Sequence, residues 1–341
     1  MPIETLRALI HKVADAKTLS VEEMRTALEI MTDGHASPAQ MGAFLMALRV
    51  RGETVDEITG AVQMMRAKML RVSAPADAVD IVGTGGDHHG TYNISTCAAL
   101  VCAGGGVPIA KHGNRSVSSM AGASDVLSAL GIKVSAPIPV VERAIREAGI
   151  GFLFAPNHHP AMKNWAPVRA DLGVRTLFNL LGPISNPAGV RRQVVGVFSW
   201  QWVEPIAEVL ASLGCDHVWV VHGHDGLDEL TTTGSTDIAE VKGGKINVFE
   251  VTPLDAGLPP AKLSDLKGGN PEYNATAIRR VLDGEDGPFR DIVLLNAAAG
   301  FVVGGRTTSL PEGVEMAARS IDSGAAKAAL AKLVAVTNEA A

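Results

Sequence analysis

The chain has 341 residues, 47% of them hydrophobic and 19% charged, with a formal net charge of −6. That length can bury a large core and suits two domains. The acidic balance argues against a protein that coats nucleic acid, which would be basic overall. No apolar run reaches the roughly 18 residues needed to span a bilayer.

The N-terminus, MPIETLRALIHKV, reads as an ordinary amphipathic helix carrying Glu4 and not as a signal sequence. Residues 1 to about 72 read as all helix. Three capping boxes punctuate them, Ser20 with Glu23, Ser37 with Gln40 and Thr54 with Glu57. Each precedes an apolar stripe of helical period, clearest at Met41, Phe44, Leu45 and Leu48, and Gly34 and Gly52 stand where C-terminal caps belong. The methionines at 24, 31, 41, 46, 64, 65 and 69 suit a core or a subunit contact, which gives a small helical domain with a dimer face. Residues Val72–Ala78, with Pro75, read as a connector.

From Val79 onward short apolar runs alternate with helical patterns. The expected strands are Val79–Val82, Val107–Ala110, Gly151–Phe154, Val194–Phe198, Val218–Val221 and Ile292–Leu295. Helices are expected over Pro139–Ala148, Val203–Leu213 and Ala275–Leu282, a peripheral hairpin at Ala239–Val251 about Gly243-Gly244, and two Ala-rich helices over Pro311–Ala341. The fold class is therefore α/β: a mainly parallel central sheet flanked by helices, plus the small N-terminal all-helical domain. The domains are residues 1–72 and 73–341. Cys97, Cys102 and Cys215 show no metal-ligand spacing and read as reduced core residues of a cytoplasmic protein.

Two loops in the first strand–helix–strand unit have the chemistry of phosphate sites. Gly83-Thr84-Gly85-Gly86-Asp87 follows the first strand; its three glycines permit positive φ and leave N–H groups unshielded. Asn93, Ser95 and Thr96 then open a helix, whose free N–H groups and dipole favour an anion. The next strand leads to Lys111-His112-Gly113-Asn114-Arg115, which sets cationic and polar groups at a strand end. Either loop alone could be a tight turn or a solvated surface loop. In open parallel sheets, however, ligands bind at the carboxyl ends of strands, and here two such loops end consecutive strands.

Three later stretches carry further chemistry. In Ala155–Lys163 and the helix expected after it, His159, Met162 and Arg169 are spaced to share one helical face. Arg169 can fork onto a carboxylate; alternatively it pairs with Asp171 or caps a helix end. Arg175–Pro183 reads as a short helix ended by Gly182-Pro183 and as scaffold. His222–Leu230 sets Asp228 and Glu229 after a strand. Adjacent acids beside a phosphate site suit Mg²⁺, although the histidines make zinc thinkable. Asp225 suits the turn with Gly226 better than the metal.

Together the motifs GTGGD, NIST, KHGNR and HHPAMK, with Arg169 and the pair Asp228-Glu229, closely resemble the anthranilate phosphoribosyltransferase family, over nearly the whole chain. The resemblance implies a nucleoside phosphorylase/anthranilate phosphoribosyltransferase-like fold. Its helical domain is completed by part of residues 160–190, and the protein is a homodimer through that domain, with no nucleic-acid or membrane partner. It implies Mg-dependent transfer of phosphoribose from phosphoribosyl diphosphate (PRPP) to anthranilate. Gly83, Gly86, Asp87, Thr91, Asn93, Ile94, Ser95 and Thr96 would meet PRPP. So would Lys111, His112, Gly113, Asn114, Arg115, Ser116, Val117, Ser118 and Ser119. Gly83, Asn114 and Arg169 would meet anthranilate, and Ser95, Asp228 and Glu229 two magnesium ions. His112 and His159 are candidates to accept the amine proton, or are walls of the substrate passage. The family commonly has Ser-Lys-Ser-Gly-Ser where this chain has Ser119-Met120-Ala121-Gly122-Ala123, so altered PRPP affinity is expected. A pyrimidine nucleoside phosphorylase resembles this fold too, but its Lys-x-Ser-Gly-Arg type segment is not found here.

Overall fold

The computed structural model describes residues 2–87, 89–115 and 121–339. The chain divides into two compact units, Met1–Arg71 with Ala155–Pro187, and Val72–Phe154 with Ala188–Ala341.

The first unit is helical. Helices Val21–Thr32, Pro38–Arg51 and Val55–Lys68 begin at the three capping boxes, each with both reciprocal bonds formed, and follow the N-terminal helix Pro2–Ala14. Gly52 ends the third helix at φ 93°, a left-handed conformation costly for side-chain-bearing residues. Met24, Met31, Met41, Met64, Met65 and Met69 are buried within the unit, so these methionine faces serve its own core. At Gly60 an added Cβ would lie 2.3 Å from the Val21 carbonyl oxygen, so the glycine lets the second and fourth helices touch closely. Chain from the middle of the sequence returns to this unit as Ala155–His158, Pro160–Asn164, Trp165–Leu172 and Phe178–Ile184. Its anchor is Trp165, fully buried, donating its indole N–H to Thr32 Oγ1 at 2.9 Å and packing on Phe178 at 4.7 Å. The last of these helices continues one residue past Gly182-Pro183 and ends at Ile184.

The second unit is built on a seven-stranded sheet. Its strands are β1 (Val79–Gly83), β2 (Ile109–Gly113), β3 (Ile150–Phe154), β4 (Arg192–Gly196), β5 (His217–Gly223), β6 (Thr236–Lys242) and β7 (Lys245–Val251). The spatial order is β3-β2-β1-β4-β5-β6-β7; β1 to β5 are parallel, and the β6–β7 hairpin joins antiparallel at one edge. The chain moves outward from β1 to β3, then crosses back so that β4 lies on the other side of β1. The order therefore reverses between β1 and β4, where open α/β sheets form a crevice beyond the strand ends.

Two expectations change. Ile292–Leu295 is not a strand but the middle of a 16-residue helix, Pro288–Val303, apolar on nearly every face because it is buried all round. A short apolar run cannot by itself separate a buried strand from a buried helix; here length and the proline in the first turn decide. Strand β2 also starts and ends later than the apolar run suggests. Lys111 and His112, expected on the loop, are buried strand residues.

Glu57 is a structural charge in the helical unit. Fully buried, it accepts N–H groups of Leu19 at 2.8 Å and Thr54 at 2.9 Å, and pairs with Arg51. Removing it strands two donors and a cation, so Glu57→Ala is expected to lower unfolding free energy by about 3 kcal/mol. Glu22→Ala, which loses only an exposed pair with Arg25, should leave the urea midpoint nearly unchanged.

Candidate active site

The site grows from the carboxyl ends of β1 and β4. The Thr84 N–H donates to the Gly196 carbonyl at 2.9 Å, and Thr84 Oγ1 accepts the Phe198 N–H at 3.0 Å, so the glycine loop is stitched to the end of β4. Gly85 and Gly86 then turn at φ 66° and 77°. Against this turn lies Asp228, whose Oδ2 accepts the Gly85 N–H at 2.6 Å. An added Cβ would lie 2.3 Å from Asp228 Oδ2 at Gly83, and 1.6 Å from the Asp228 carbonyl oxygen at Gly196. Gly196 is thus part of the site, though the sequence offered only a glycine at a strand end to suggest it.

The Asp228 loop is held from behind. Asn296, fully buried in the Pro288–Val303 helix, accepts the Leu230 N–H at 3.0 Å and donates to the Leu230 carbonyl at 2.8 Å. Asp225 serves the turn, accepting Leu227 N–H at 3.2 Å and the hydroxyls of Thr231 and Thr233 at 2.6 and 2.5 Å. No sequence pattern pointed to Asn296, because its partners lie 66 positions away.

Beneath the loops lies a charge cluster. The Lys111 ammonium, buried, donates to the Ile81 carbonyl at 2.5 Å and Ser95 Oγ at 3.3 Å. Burial lowers its pKa, while Asp80, Glu229 and Asp228 act to hold its proton. Asp80 is itself fully buried and accepts the His112 backbone N–H at 3.1 Å; a charge inside the run Val79–Val82 was the available sign of its importance. The Glu229 carboxyl is pushed up to about 8, first by burial and then by Asp228, although Lys111 opposes this. Its Oε1 accepts the Ser95 N–H at 3.3 Å. Three carboxyl groups therefore face one ammonium, and a divalent cation that displaced the Glu229 proton would suit them. The donors are hard oxygens, from Asp228, Glu229 and the Ser95 hydroxyl, which fits magnesium. The histidines that suggested zinc are engaged elsewhere: His222 Nδ1 meets the Val197 carbonyl at 2.8 Å, and His224 faces Asp237.

The other expected residues of this unit fall around the same strand ends. Asn93 precedes the helix Ile94–Gly104 without capping it; its side chain is tied instead to the Ala121 carbonyl at 3.3 Å and to Asn274 Nδ2 at 2.9 Å. Thr96 Oγ1 is buried with no hydrogen-bond partner among the described residues. Asp87 accepts the His89 N–H at 3.2 Å, and Thr91 bridges to Lys267. Asn114 Oδ1 accepts the Arg115 N–H at 2.8 Å, and the Arg115 guanidinium lies 6.0 Å from the Phe154 ring centroid. Ser116, Val117, Ser118, Ser119 and Met120 lie outside the described residues. Past them, Gly122 N–H donates to Asp125 Oδ2 at 3.1 Å at the start of the helix Ala123–Ala129.

In the helical unit, His159, Met162 and Arg169 do not share one helical face. His159, before Pro160, leaves the helical region (φ −117°, ψ 64°), and the segment forms three short helices. Arg169 is partly buried over Phe178, 5.4 Å from the ring centroid, and pairs with no carboxylate among the described residues, Asp171 included. Burial lowers its pKa. His159 is brought down to about 4 by burial and then by His158, so it is a neutral and weak base at pH 7.

Comparison with known proteins accounts for both units. The family described as "Glycosyl transferase family, helical bundle domain" matches residues 7–69, and "Glycosyl transferase family, a/b domain" matches residues 75–327. An anthranilate phosphoribosyltransferase of Rhodopseudomonas palustris (strain BisB18) is 60% identical over 335 residues, 98% of this chain and 99% of that protein. The crystal structure of the Thermus thermophilus anthranilate phosphoribosyltransferase superposes with a TM-score of 0.92 at 46% identity, covering 97% of this chain and 99% of the other. The Saccharomyces cerevisiae enzyme in complex with PRPP and Mg superposes at 0.89 with 28% identity and 98% coverage of each chain.

Because a methyl group at position 196 would overlap the Asp228 backbone, Gly196→Ala is expected to push the acid loop off the strand end. Its affinity for Mg²⁺ by calorimetry should fall about tenfold or more, equivalent to about 1.4 kcal/mol. Gly234→Ala, which has open space at its Cβ, should bind as the parent does.

Proposed function

The chain belongs to the anthranilate phosphoribosyltransferase family, and on that premise we propose that it transfers the phosphoribosyl group of PRPP to anthranilate. The products are N-(5-phosphoribosyl)anthranilate and diphosphate, in tryptophan biosynthesis. The observation that carries the reading is the glycine loop and acid pair facing one another at the sheet's switch point over Lys111. A glycine turn without side-chain shielding, set beside two carboxyl groups and a helix start, suits a metal-chelated diphosphate. Loss of anthranilate fluorescence on adding PRPP and Mg²⁺ tests it directly; phosphate-dependent release of a pyrimidine base instead would overturn it.

In this reading the amine nitrogen of anthranilate attacks C1 of PRPP as the C1–O bond to diphosphate breaks. Positive charge develops on the ribosyl ring, as in glycoside hydrolysis. Ser95, Asp228 and Glu229 would hold two magnesium ions per subunit, which would supply positive charge to the leaving diphosphate. No strong general acid is then needed. The glycine loop, Thr91 and the run Asn93 to Thr96 meet PRPP, and Lys111 to Ser119 close over its phosphate and ribose. Lys111 acts from below, fixing Ser95 Oγ and balancing the acids. Arg169 takes the anthranilate carboxylate, a role supported by its partly buried guanidinium having no carboxylate partner among the described residues. A neutral arylamine is already nucleophilic, so positioning supplies up to ~7–11 kcal/mol in favourable cases. His112 is the remaining candidate proton acceptor, since the low pKa of His159 suits a wall better than a base. The protein is read as a cytoplasmic homodimer through the helical unit. Its three free, buried cysteines accord with a reducing compartment.

Arg169→Ala should raise KM for anthranilate by about a hundredfold, the loss of a charge-assisted pair of roughly 3 kcal/mol, while KM for PRPP changes little. Steady-state kinetics with each substrate varied checks it; equal effects on both would remove Arg169 from the acceptor. The raised Glu229 pKa gives a second expectation. Below about 8 its carboxyl holds a proton that a metal ion must displace, so Mg²⁺ affinity should rise with pH toward 8 and then level off. Calorimetry at pH 7 in two buffers of different ionisation enthalpy should detect the released proton.

A further inference from the structure

Apart from the active-site acids, one cluster of potential metal ligands among the described residues stands on the edge hairpin. We propose that His224, Asp237 and Glu250 form a surface site for a zinc-type divalent transition ion, separate from the magnesium site. The three come from three neighbouring strands: His224 follows β5, Asp237 lies on β6 and Glu250 on β7. Asp237 and Glu250 are direct cross-strand partners. Two like charges placed opposite one another destabilise a sheet, and a cation shared between them would offset that. His224 supplies the third corner, with Nε2 3.1 Å from Asp237 Oδ1 and 3.9 Å from Glu250 Oε2. All three ligand atoms lie within 4.8 Å of one another.

Those separations fit a metal shell. Zinc–ligand bonds of about 2.0–2.2 Å in a tetrahedron place ligand atoms about 3.3–3.6 Å apart. The observed pair brackets that range, and the Glu250 side chain, 52% exposed, has room to close the longer edge. One imidazole with two carboxylates favours a borderline ion over Mg²⁺, which prefers oxygen and water, and leaves a position open for water. The groups facing His224 are Asp237, Glu250 and Asp225, and they raise its pKa, Asp237 foremost through its hydrogen bond. A proton is therefore the ion's competitor, and occupancy should increase with pH. The position has a consequence for the active site. His224 and Asp237 bracket the loop that carries Asp228 and Glu229, whose ends are joined by the His224 N–H to the Ser235 carbonyl at 2.9 Å. An ion there would staple the base of that loop.

The test is a Zn²⁺ titration of metal-free full-length protein at pH 8 with excess Mg²⁺ present, and a parallel Co²⁺ titration read by visible absorption. The expected result is one zinc ion per chain and cobalt bands of a low-coordinate N/O site. His224→Ala and Asp237→Asn should each weaken zinc binding by about tenfold or more, as loss of one of three ligands requires. Asp228→Asn should retain it, which separates this site from the magnesium acids, and zinc should raise the Tm of the parent but not of His224→Ala. Zinc affinity equal in the parent and Asp237→Asn proteins would overturn the proposal. So would a parent His224 that keeps its proton, by NMR titration, whether or not zinc is present; the cluster is then an ion triad only.

Discussion

Asp228 lies so close against the ends of β1 and β4 that a methyl group at Gly83 would overlap its carboxylate, and one at Gly196 its backbone. That approach organises the second unit. It brings a carboxylate onto the free N–H of the glycine turn, and it sets the acid loop over the strand crossover, where a parallel sheet leaves a crevice. The grip is double-sided: glycines make room in front, and Asn296 holds the Leu230 backbone from behind. A loop held this way presents its acids in one arrangement before any ligand arrives, which is the condition for electrostatic stabilisation without reorganisation.

The charges gathered there are not arranged for stability of the unliganded protein. Lys111 is buried beneath Asp80, Asp228 and Glu229, and burial pushes Glu229 toward neutrality instead of full ionisation. An apolar sheet end would cost less to fold. The excess of carboxyl groups over ammonium is an arrangement that a bound divalent ion would relieve.

A similar division of labour appears in the helical unit. Glu57 and Arg51 are a buried pair that serves structure, with the Leu19 and Thr54 donors answered as well. Arg169 is partly buried too, yet it faces an aromatic ring and no carboxylate among the described residues. A guanidinium desolvated without a counter-charge is costly to the fold. The broken helix that carries it, interrupted at Pro160, places it by packing around Trp165 and Phe178 and not by helical periodicity.

Local chemistry made much of this legible in the sequence. The capping boxes need only residues three apart, the glycine loops only the freedom of a missing Cβ, and the alternation of strands and helices only the period of apolar residues. These made the two kinds of architecture legible, and they marked the glycine loop and the acid pair as followers of strand ends, because each rests on interactions within a few positions along the chain. Long-range packing decided the rest. Whether Ile292–Leu295 was strand or helix depended on what surrounded it, and it was surrounded on every face. Lys111 and His112 became strand residues because Asp80, Ile81 and Ser95, distant in sequence, receive them. Gly196, Asn296 and the cross-strand pair Asp237 and Glu250 acquire meaning only when segments distant along the chain are brought into contact, and a one-dimensional pattern carries no record of that.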